Sequence, residues 1–477
     1  MNIAKQFLKD STLYSLQPIL VQALTFVLLP LYTNYLSPSE YGNMSYIIML
    51  ASFFKTVAAL GLGSSFWKYT TKSSAYTEKD VVKVTVMLQV YLSIALFILY
   101  VIADLTVMKS TLFYLVVIAL VTEIISVHYK TGQVLYRAKF ETKKYIVTTL
   151  IYTVLYIGLN IFFLAYLETT LIGVFYALFI TNVIMSIITF IHFRNIFMGG
   201  KYDKVLSKEM VKYGVPMMIG NLVFMFLNLS DRFLIKTLVD DTALGYFSYG
   251  AKFGNLLNVF VVTPFFLAWN PLRWQIYERP DGKEIFAKFN KYLMMFTPIF
   301  GGIFCAMVPI AMELLTFNTQ YLNGIQIVSF ITFSQVFYCF YYFNSMGLLF
   351  ENKTKYLSII IGVAALANIG MNFIMLPLFG FYGAGVASFT AYFLLYLITS
   401  IYSQKVYNIK RNYLFEGTQI LFCFVLAAAF FFGENMYGHW TATISVLGVV
   451  LLFTAINYAL GFLRIGEMLQ LVKKLKK

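Results

Sequence analysis

Apolar runs of about 20 residues recur along the whole chain, and they limit the possible folds more than any other feature. A run of that length crosses the hydrocarbon core of a bilayer as a helix. Only 12% of the residues are charged, whereas a soluble domain carries about 25%. A β-barrel would show alternating segments of about ten residues instead. The sequence therefore predicts an all-α, polytopic membrane protein.

The apolar runs divide into fourteen predicted transmembrane helices. Lys5 and Lys9 precede the first run, and no small-residue cleavage site follows them, so we expect an uncleaved first helix rather than a signal peptide. The approximate cores of the fourteen helices are residues 13–35, 44–63, 84–103, 111–129, 145–166, 171–193, 213–235, 246–269, 292–312, 325–349, 356–377, 382–402, 414–433 and 441–463.

Lys and Arg are distributed asymmetrically among the segments between these helices. With the N-terminus placed inside, the inner segments hold 31 of the 36 basic residues, whereas the outer loops hold only Lys109 and Lys236. An excess of Lys and Arg marks the cytoplasmic side of a membrane protein. The distribution predicts that both termini are cytoplasmic. The net charge of +15 is thus explained by the membrane topology, and it does not indicate a nucleic-acid partner.

Two stretches of the chain occur twice. Residues 36–46 (LSPSEYGNMSY) align with residues 239–249 (VDDTALGYFSY), and residues 142–160 align with residues 354–372, in the same order. Predicted helices 1–6 therefore resemble helices 7–12. Because six is an even number, both copies enter the membrane in the same direction, which makes the repeat parallel.

A parallel six-helix repeat is typical of transporters in which two lobes surround a central cavity. We expect two six-helix lobes and two additional C-terminal helices. The predicted divisions are an N-lobe, a cytoplasmic linker, a C-lobe, and a last part with helices 13–14 and a basic tail: residues 1–193, 194–212, 213–402 and 403–477.

Several polar and charged residues lie inside the predicted spans. A charge within a span costs at least about 2.5–3.5 kcal/mol, so each one marks a candidate functional site. Lys55 and Glu123 lie at similar depths, where they can face each other or a hydrated cavity. Polar residues at helical spacing mark the helical pair at 213–266 and the first helix. The candidate binding residues are Gln22, Lys55, Asn228, Asp231, Arg232, Tyr249, Lys252 and Asn255, and Glu123 is the candidate for proton coupling.

Each candidate also has a structural interpretation. Lys55 and Glu123 form a buried pair in that interpretation, and Asp231 with Arg232 fixes helix packing near the outer interface. Lys252 then extends its ammonium group to the membrane surface. The asparagines of the seventh helix would hold neighbouring helices together. The sequence leaves these alternatives open.

The balance of charge within the spans favours anionic ligands over cationic ones. Bases outnumber acids there, and Lys and Arg pair well with phosphate or pyrophosphate. The sequence shows no metal-ligand cluster, no Walker A loop, no nucleotide fingerprint and no large extramembrane domain. We therefore expect a transporter rather than an enzyme, with neither a cofactor nor a bound metal.

Three stretches resemble the polysaccharide-transporter branch of the multidrug/oligosaccharidyl-lipid/polysaccharide exporter superfamily, which includes Wzx-type O-antigen and capsule flippases. They are LSPSEYGNMSY, SDRFLI followed by LGYFSYGAKFGNLL, and NIGMNFIMLPLFGFYGAGVAS at 368–388. The resemblance implies that Lys55 and Lys252 belong to a cationic cavity, and that Asp231 and Arg232 are the Asp-Arg pair of the seventh helix.

The resemblance also implies a function. An undecaprenyl-pyrophosphate-linked oligosaccharide (an O-antigen, capsule or exopolysaccharide repeat unit) would move from the cytoplasmic to the outer face of a bacterial inner membrane. Its partners would be this lipid-linked oligosaccharide, the bilayer, and a polysaccharide polymerase with glycosyltransferases of lipopolysaccharide-type pathways. The alternatives are a multidrug or metabolite antiporter and a non-transporting scaffold of a polysaccharide assembly complex. The first predicted span has no basic residue, unlike related lipid II flippases, and no acidic residue, which disfavours the antiporter.

Overall fold

The structure is a computed structural model that describes residues 21–22, 24–72 and 76–462. Every regular element in these ranges is helical. Thirteen of the helices are long and apolar enough to cross a membrane. Each coincides with one of the predicted spans from the second to the fourteenth, so the predicted all-α polytopic fold is confirmed. The first predicted span lies partly outside the described residues.

The chain divides into two compact units. The first contains residues 1–236 and 240–245, and the second contains residues 237–239 and 246–477. The predicted linker at 194–212 contains a short helix and the first turns of the long helix Lys204–Leu238, and that helix belongs to the first unit as far as residue 236. The division into six-helix lobes stays a prediction.

The helices of the first unit follow one another with short connections. They are α1 (Leu28–Tyr35), α2 (Pro38–Ala58), α3 (Leu62–Lys72), α4 (Glu78–Ala103), α5 (Phe113–Ile125), α6 (Val127–Ala138), α7 (Thr142–Ile161), α8 (Leu171–His192), α9 (Arg194–Gly199) and α10 (Lys204–Leu238).

The second unit begins within the next helix. Its helices are α11 (Asp241–Gly254), α12 (Thr263–Tyr277), α13 (Gly282–Leu315), α14 (Val328–Asn344), α15 (Met346–Phe350), α16 (Thr354–Phe379), α17 (Phe381–Val406), α18 (Tyr413–Tyr437) and α19 (His439–Ala459).

Several helices extend well beyond their predicted apolar cores. The fourth span was predicted to end at residue 129, but α5 and α6 continue it to Ala138. Likewise, α10 begins at Lys204 and α13 at Gly282, about nine or ten residues before the predicted cores. Hydropathy marks only the part of a helix that lipid surrounds. Backbone hydrogen bonding continues past that limit, so basic residues predicted to lie in loops lie on helices instead.

Local side-chain chemistry fixes where α2 begins. Pro38 occupies the first helical position, where the missing N–H costs nothing. Ser37 Oγ accepts the backbone N–H of Glu40 at 3.3 Å, and Glu40 Oε2 accepts the backbone N–H of Ser37 at 2.8 Å. This reciprocal capping box satisfies two donors that the first turn would leave free. The SPSE segment of the repeated motif is thus a helix start.

The second copy of the motif is capped at the equivalent position. Asp240, which aligns with Ser37, accepts the backbone N–H of Ala243 with its Oδ1 at 2.7 Å. The other repeated stretch also agrees between copies. Asn160 donates to the carbonyl of Tyr156 four residues earlier, and the aligned Asn372 donates in the same way, at 2.8 and 3.0 Å. Aligned residues therefore take aligned structural roles.

Within the first unit, α10 packs closely against α3 and the turn that precedes it. A Cβ on Gly61 would lie 2.1 Å from the Gly214 carbonyl oxygen, and a Cβ on Gly214 would lie 2.2 Å from the Leu60 carbonyl oxygen. Gly61 also has φ +65°, a conformation that glycine adopts without strain. Next to this contact, Ser65 Oγ donates to the Met210 carbonyl at 2.8 Å. Only glycine, which has no Cβ, permits the two backbones to approach each other this closely.

Candidate functional site

The first unit contains a cavity of about 340 Å³ between α2, α3, α4, α5 and α6. Its charged lining residues come from two stretches: Lys55 from α2, and Glu123, Lys130 and Arg137 from the α5–α6 segment. The uncharged lining residues are Phe54, Ala58, Ala59, Gly63, Phe66, Thr85, Gln89, Ser93, Val127, Thr131, Gln133 and Val134.

An apolar core supports one end of this cavity. Phe66 of α3 lines the cavity and is 1% exposed, and it belongs to a cluster that includes Val82, Leu135 and Phe197. The cluster joins residues of α3, α4, α6, α9 and α10. These contacts fix α3 and α6 to the same core, and α6 carries the cavity-lining residues Lys130 and Arg137.

Glu123 forms an ion pair with Lys130, in which Lys130 Nζ donates to Glu123 Oε2. The pairing of Glu123 with Lys55 that the sequence suggested is therefore wrong. Two short helices replace the single predicted one here, and Ser126 at their junction donates its hydroxyl to the Glu123 carbonyl at 2.7 Å. The chain continues as α6 without leaving its direction, so Lys130 reaches Glu123 from seven residues further on.

Lys55 is exposed to the cavity and forms no ion pair with any residue in the described ranges. It lies close enough to Lys130 for the two ammonium groups to repel each other. The cavity thus holds three cations and one carboxylate, which leaves a net positive charge even after Glu123 and Lys130 have paired. An anionic group entering the cavity would relieve the repulsion between Lys55 and Lys130.

The sequence reasoning missed Lys130 and Arg137 as cavity residues because it placed both in an inner loop. A signal was present. Glu123, Lys130 and Arg137 are spaced by seven residues, which places them on one face of a continuous helix. Hydropathy falls after α5, whereas the helical periodicity continues through the polar segment that forms α6.

Neutral polar groups complete the cavity wall. Gln133 Nε2 donates to Thr148 Oγ1 at 3.0 Å, and Thr149 Oγ1 donates to Gln133 Oε1 at 3.4 Å. The Gln133 amide is therefore held by α7 and has a fixed orientation. Ser93 of α4 is 2% exposed, so it adds little polar surface.

The predicted polar stripe on α10 has a different environment. Arg232 Nε donates to Ser45 Oγ of α2 at 3.1 Å, and Arg232 Nη1 donates to the Asn228 carbonyl at 3.3 Å. Asn228 Nδ2 donates to the Phe224 carbonyl at 2.7 Å. Asp231 is 3% exposed. These contacts join α10 to α2, and none of the three candidates on α10 lines the cavity.

A second polar cluster lies beyond Arg232 along α10. Lys236 donates to Asp241 and, at 2.6 Å, to Asn43 Oδ1. Asn43 Nδ2 in turn donates to Asp241 Oδ2 at 3.0 Å. The three side chains therefore form a closed ring of polar contacts between the start of α2, the end of α10 and the start of α11.

Three candidates lie in the second unit. Tyr249 is fully buried, and its hydroxyl is 2.7 Å from Thr316 Oγ1, so its ring is enclosed by protein. Asn255 Nδ2 donates to the Ala251 carbonyl at 2.7 Å. Lys252 is half-buried and forms no ion pair within the described ranges. Their roles in binding stay predictions.

Gln22 is half-buried, and its carbonyl accepts the Thr25 hydroxyl at 2.8 Å. It does not line the cavity of the first unit. The part of the chain that the structure describes contains no cluster of three or more His, Cys, Asp and Glu side chains that could bind a metal. The cavity instead has the donors that bind anions directly: ammonium, guanidinium, amide and hydroxyl groups.

Residues 7–277 match the family described as polysaccharide biosynthesis protein. This stretch is more than half of the chain and contains the whole cavity. The chain belongs to this family. No curated protein matches the sequence of this chain significantly.

Solved structures with the same fold are transporters. The lipid II flippase MurJ in an inward closed conformation has a TM-score of 0.67 and 18% identity, over 94% of this chain and 99% of that one. An inward-facing multidrug resistance MATE family transporter has a TM-score of 0.65 and 14% identity, over 80% of this chain and 94% of that one. An outward-facing MATE family transporter has a TM-score of 0.55 and 12% identity, over 85% and 97%. This member of the polysaccharide biosynthesis family therefore shares its fold with these membrane transporters.

Proposed function

We propose that the protein is a flippase that moves an undecaprenyl-pyrophosphate-linked oligosaccharide from the cytoplasmic to the outer leaflet of a bacterial inner membrane by alternating access. The cargo would be a repeat unit of O-antigen, capsule or exopolysaccharide. The observation that carries the proposal is the excess of cations in the cavity of the first unit. Membership of the polysaccharide biosynthesis family supports the same cargo class.

The charges of the cavity complement those of the cargo. Lys55, Lys130 and Arg137 face a single carboxylate, Glu123. The resulting excess of positive charge matches a doubly charged pyrophosphate diester. A guanidinium and two ammonium groups bind such a group through charge-assisted hydrogen bonds, which are stronger than neutral ones. The amide of Gln133, held by Thr148 and Thr149, would use its remaining hydrogen-bonding capacity for the first sugar.

The cavity accommodates the head of the cargo but not its tail. A volume of about 340 Å³ is near the lower end of the range for small-molecule sites. That is room for a pyrophosphate and adjoining sugar hydroxyls. A long prenyl chain is far larger than the cavity. It would stay in the bilayer, which avoids the cost of moving it out of lipid.

The orientation predicted from the basic residues gives a direction to the process. In that orientation the α3 and α6 ends of the cavity lie toward the cytoplasmic surface, where lipid-linked precursors would be loaded. Glu123 is the proposed coupling residue, because it is the one carboxylate among the residues that line the cavity and it pairs with Lys130.

A multidrug or metabolite antiporter is the second candidate, and the MATE transporters of similar fold favour it. Such a transporter with cationic substrates needs an acidic cavity. Here Glu123 already pairs with Lys130, and the remaining charges are positive. The antiporter therefore fits this chain less well than the flippase does.

Binding of a short prenyl pyrophosphate to the purified protein tests the proposal. We expect the wild-type protein to bind farnesyl pyrophosphate and to bind farnesol far more weakly. Each of Lys130→Gln and Arg137→Gln should weaken binding roughly tenfold, because each removes one hydrogen bond to a charged group.

Lys204→Gln is the matched control, since it removes one exposed lysine of α10 that does not line the cavity. Equal affinity of all four proteins for farnesyl pyrophosphate would contradict a pyrophosphate site in this cavity. Preferential binding of a lipophilic cation such as ethidium would favour the antiporter instead.

A further inference from the structure

The second unit contains a separate basic cavity of about 620 Å³ that no proposed transport step uses. It lies between the first turns of α13 and the segment that joins α17 to α18. Lysines and one arginine dominate its polar lining. The lining residues are Lys283, Glu284, Ala287, Lys288, Asn290, Lys291, Asn408, Lys410, Arg411, Asn412, Phe415, Glu416 and Phe462.

The carboxylates in this lining are both committed to basic partners. Glu284 Oε1 accepts from Lys288 at 2.7 Å, and Glu416 Oε2 lies 3.6 Å from Arg411 Nη1. The lining holds five basic and two acidic side chains, which gives the cavity a net charge of +3. An excess of this size in one cavity attracts anions.

Arg411 gives the cavity a built, buried donor. Its side chain is only 4% exposed. Its Nη1 donates to Ser400 and its Nη2 to Asn344, while Glu416 is also held by Asn290 at 3.1 Å. The remaining donor, Nε, is buried and has no hydrogen-bond partner among the described residues. A buried donor left without an acceptor costs about 1–3 kcal/mol, and a bound anion would supply the acceptor.

The same cavity also has an apolar side. Phe415 and Phe462 pack edge to face with centroids 5.1 Å apart, and both line the cavity beside Ala287. The neighbouring Tyr413 and Leu414 are 72% and 71% exposed, at the start of a membrane-spanning helix. A ligand that fits both sides needs an anionic head and an apolar body, and it lies at the level where a span begins.

We propose that this cavity binds the phosphate head group of an anionic phospholipid. The lysines pair with the phosphate, the Arg411 Nε donates to one of its oxygens, and the acyl chains lie along the exposed aromatic and aliphatic side chains of α18. Basic pockets between transmembrane helices recognise anionic head groups in this way. In the orientation predicted from the basic residues, the lipid belongs to the cytoplasmic leaflet.

Thermal unfolding of the full-length protein in detergent, with added lipid, tests the inference. We expect phosphatidylglycerol to stabilise the wild-type protein and phosphatidylcholine to have little effect. The triple variant Lys283→Gln/Lys291→Gln/Lys410→Gln should need at least about tenfold more phosphatidylglycerol for the same shift, given roughly 1 kcal/mol per basic residue. The triple Lys→Arg variant at the same positions should behave as the wild type.

A control variant that loses the same number of lysines elsewhere distinguishes binding in this cavity from general attraction between a basic protein and anionic lipid. The control Lys143→Gln/Lys204→Gln/Lys208→Gln removes three exposed lysines of the first unit. It should leave the phosphatidylglycerol response unchanged. An equal loss in the control, or an unchanged response in the cavity variant, would overturn the proposal.

Inorganic phosphate distinguishes a lipid head group from a free phosphate ion as the ligand of this cavity. We expect millimolar phosphate neither to reproduce the lipid-induced shift nor to compete with it, because phosphate lacks the apolar body. Competition by phosphate at these concentrations would assign the cavity to a free anion and overturn the lipid assignment. None of these outcomes depends on the pyrophosphate site of the first unit.

Discussion

Gly42 and Gly245 occupy the same position in the two copies of a repeated motif, and they meet each other in the folded chain. A Cβ on Gly42 would lie 2.1 Å from the Asp241 carbonyl oxygen, and a Cβ on Gly245 would lie 1.9 Å from the Pro38 carbonyl oxygen. Asp241 and Pro38 are themselves aligned in the repeat. The contact is therefore reciprocal, as expected for two helix starts related by a local two-fold axis.

This contact predicts that neither glycine tolerates a side chain. Gly42→Ala should lower the free energy of unfolding by about 1–3 kcal/mol, since the methyl group overlaps backbone atoms that cannot rotate away. Unfolding by sodium dodecyl sulfate in mixed micelles measures the change. Gly220→Ala is the control, because nothing lies within 4 Å of its added Cβ. Similar stability of the two variants would contradict the close contact.

The bond between Arg232 and Ser45 predicts energetic coupling between α10 and α2. We expect Arg232→Gln and Ser45→Ala to be non-additive, with an interaction energy of about 0.5–3 kcal/mol in a double-mutant cycle. The same unfolding assay applies. Additive effects of the two substitutions would show that the arginine contributes nothing through the serine hydroxyl.

The Glu123–Lys130 pair predicts which residue links transport to protons. Glu123→Gln should keep prenyl pyrophosphate binding, because the substitution removes a negative charge from an anion site. It should abolish the response of translocation to a pH gradient in proteoliposomes. Glu141→Gln is the control, since Glu141 pairs with Lys144 at 3.2 Å and does not line the cavity. A gradient response that survives in Glu123→Gln would remove Glu123 from the coupling role.

Lys55 and Lys252 carry a prediction about export. The double variant Lys55→Ala/Lys252→Ala should reduce surface polysaccharide at least tenfold, given about 1.5–3 kcal/mol for each hydrogen bond to a charged group. Immunoblotting of membranes should show an unchanged protein level. Lys204→Ala/Lys208→Ala, on an exposed part of α10, controls for loss of charge. Full export by the Lys55→Ala/Lys252→Ala variant would contradict the role of both lysines.

The sequence predicted the helices well because lipid imposes one requirement on every span. Each span must satisfy its own backbone hydrogen bonds and present apolar side chains outward. Leu99, Ile102 and Val107 of the third span remain largely exposed for this reason. Gly380 lies at the break between the eleventh and twelfth spans and has φ +59°, a conformation that glycine adopts without strain.

The candidate site was harder to predict because it depends on partners rather than on patterns. Lys55 lines the cavity of the first unit, but its expected partner Glu123 pairs with Lys130. Arg232 and Tyr249 are residue types that often bind ligands. In this structure, however, their polar groups contact Ser45 and Thr316. Nothing in the sequence distinguishes a polar group that faces a cavity from one that joins two helices.

The sequence by itself determined the number, order and approximate position of the membrane helices from the second onward, and the repeated motif. These features depend on hydropathy and on residue identity alone. Only the tertiary structure decided that aligned glycines meet, that Glu123 pairs with Lys130, and that three cations share one cavity. Those relationships join residues far apart along the helices, so they depend on how the helices pack. Packing is set by close contacts such as that of Gly61 with Gly214, whose geometry no periodicity reveals.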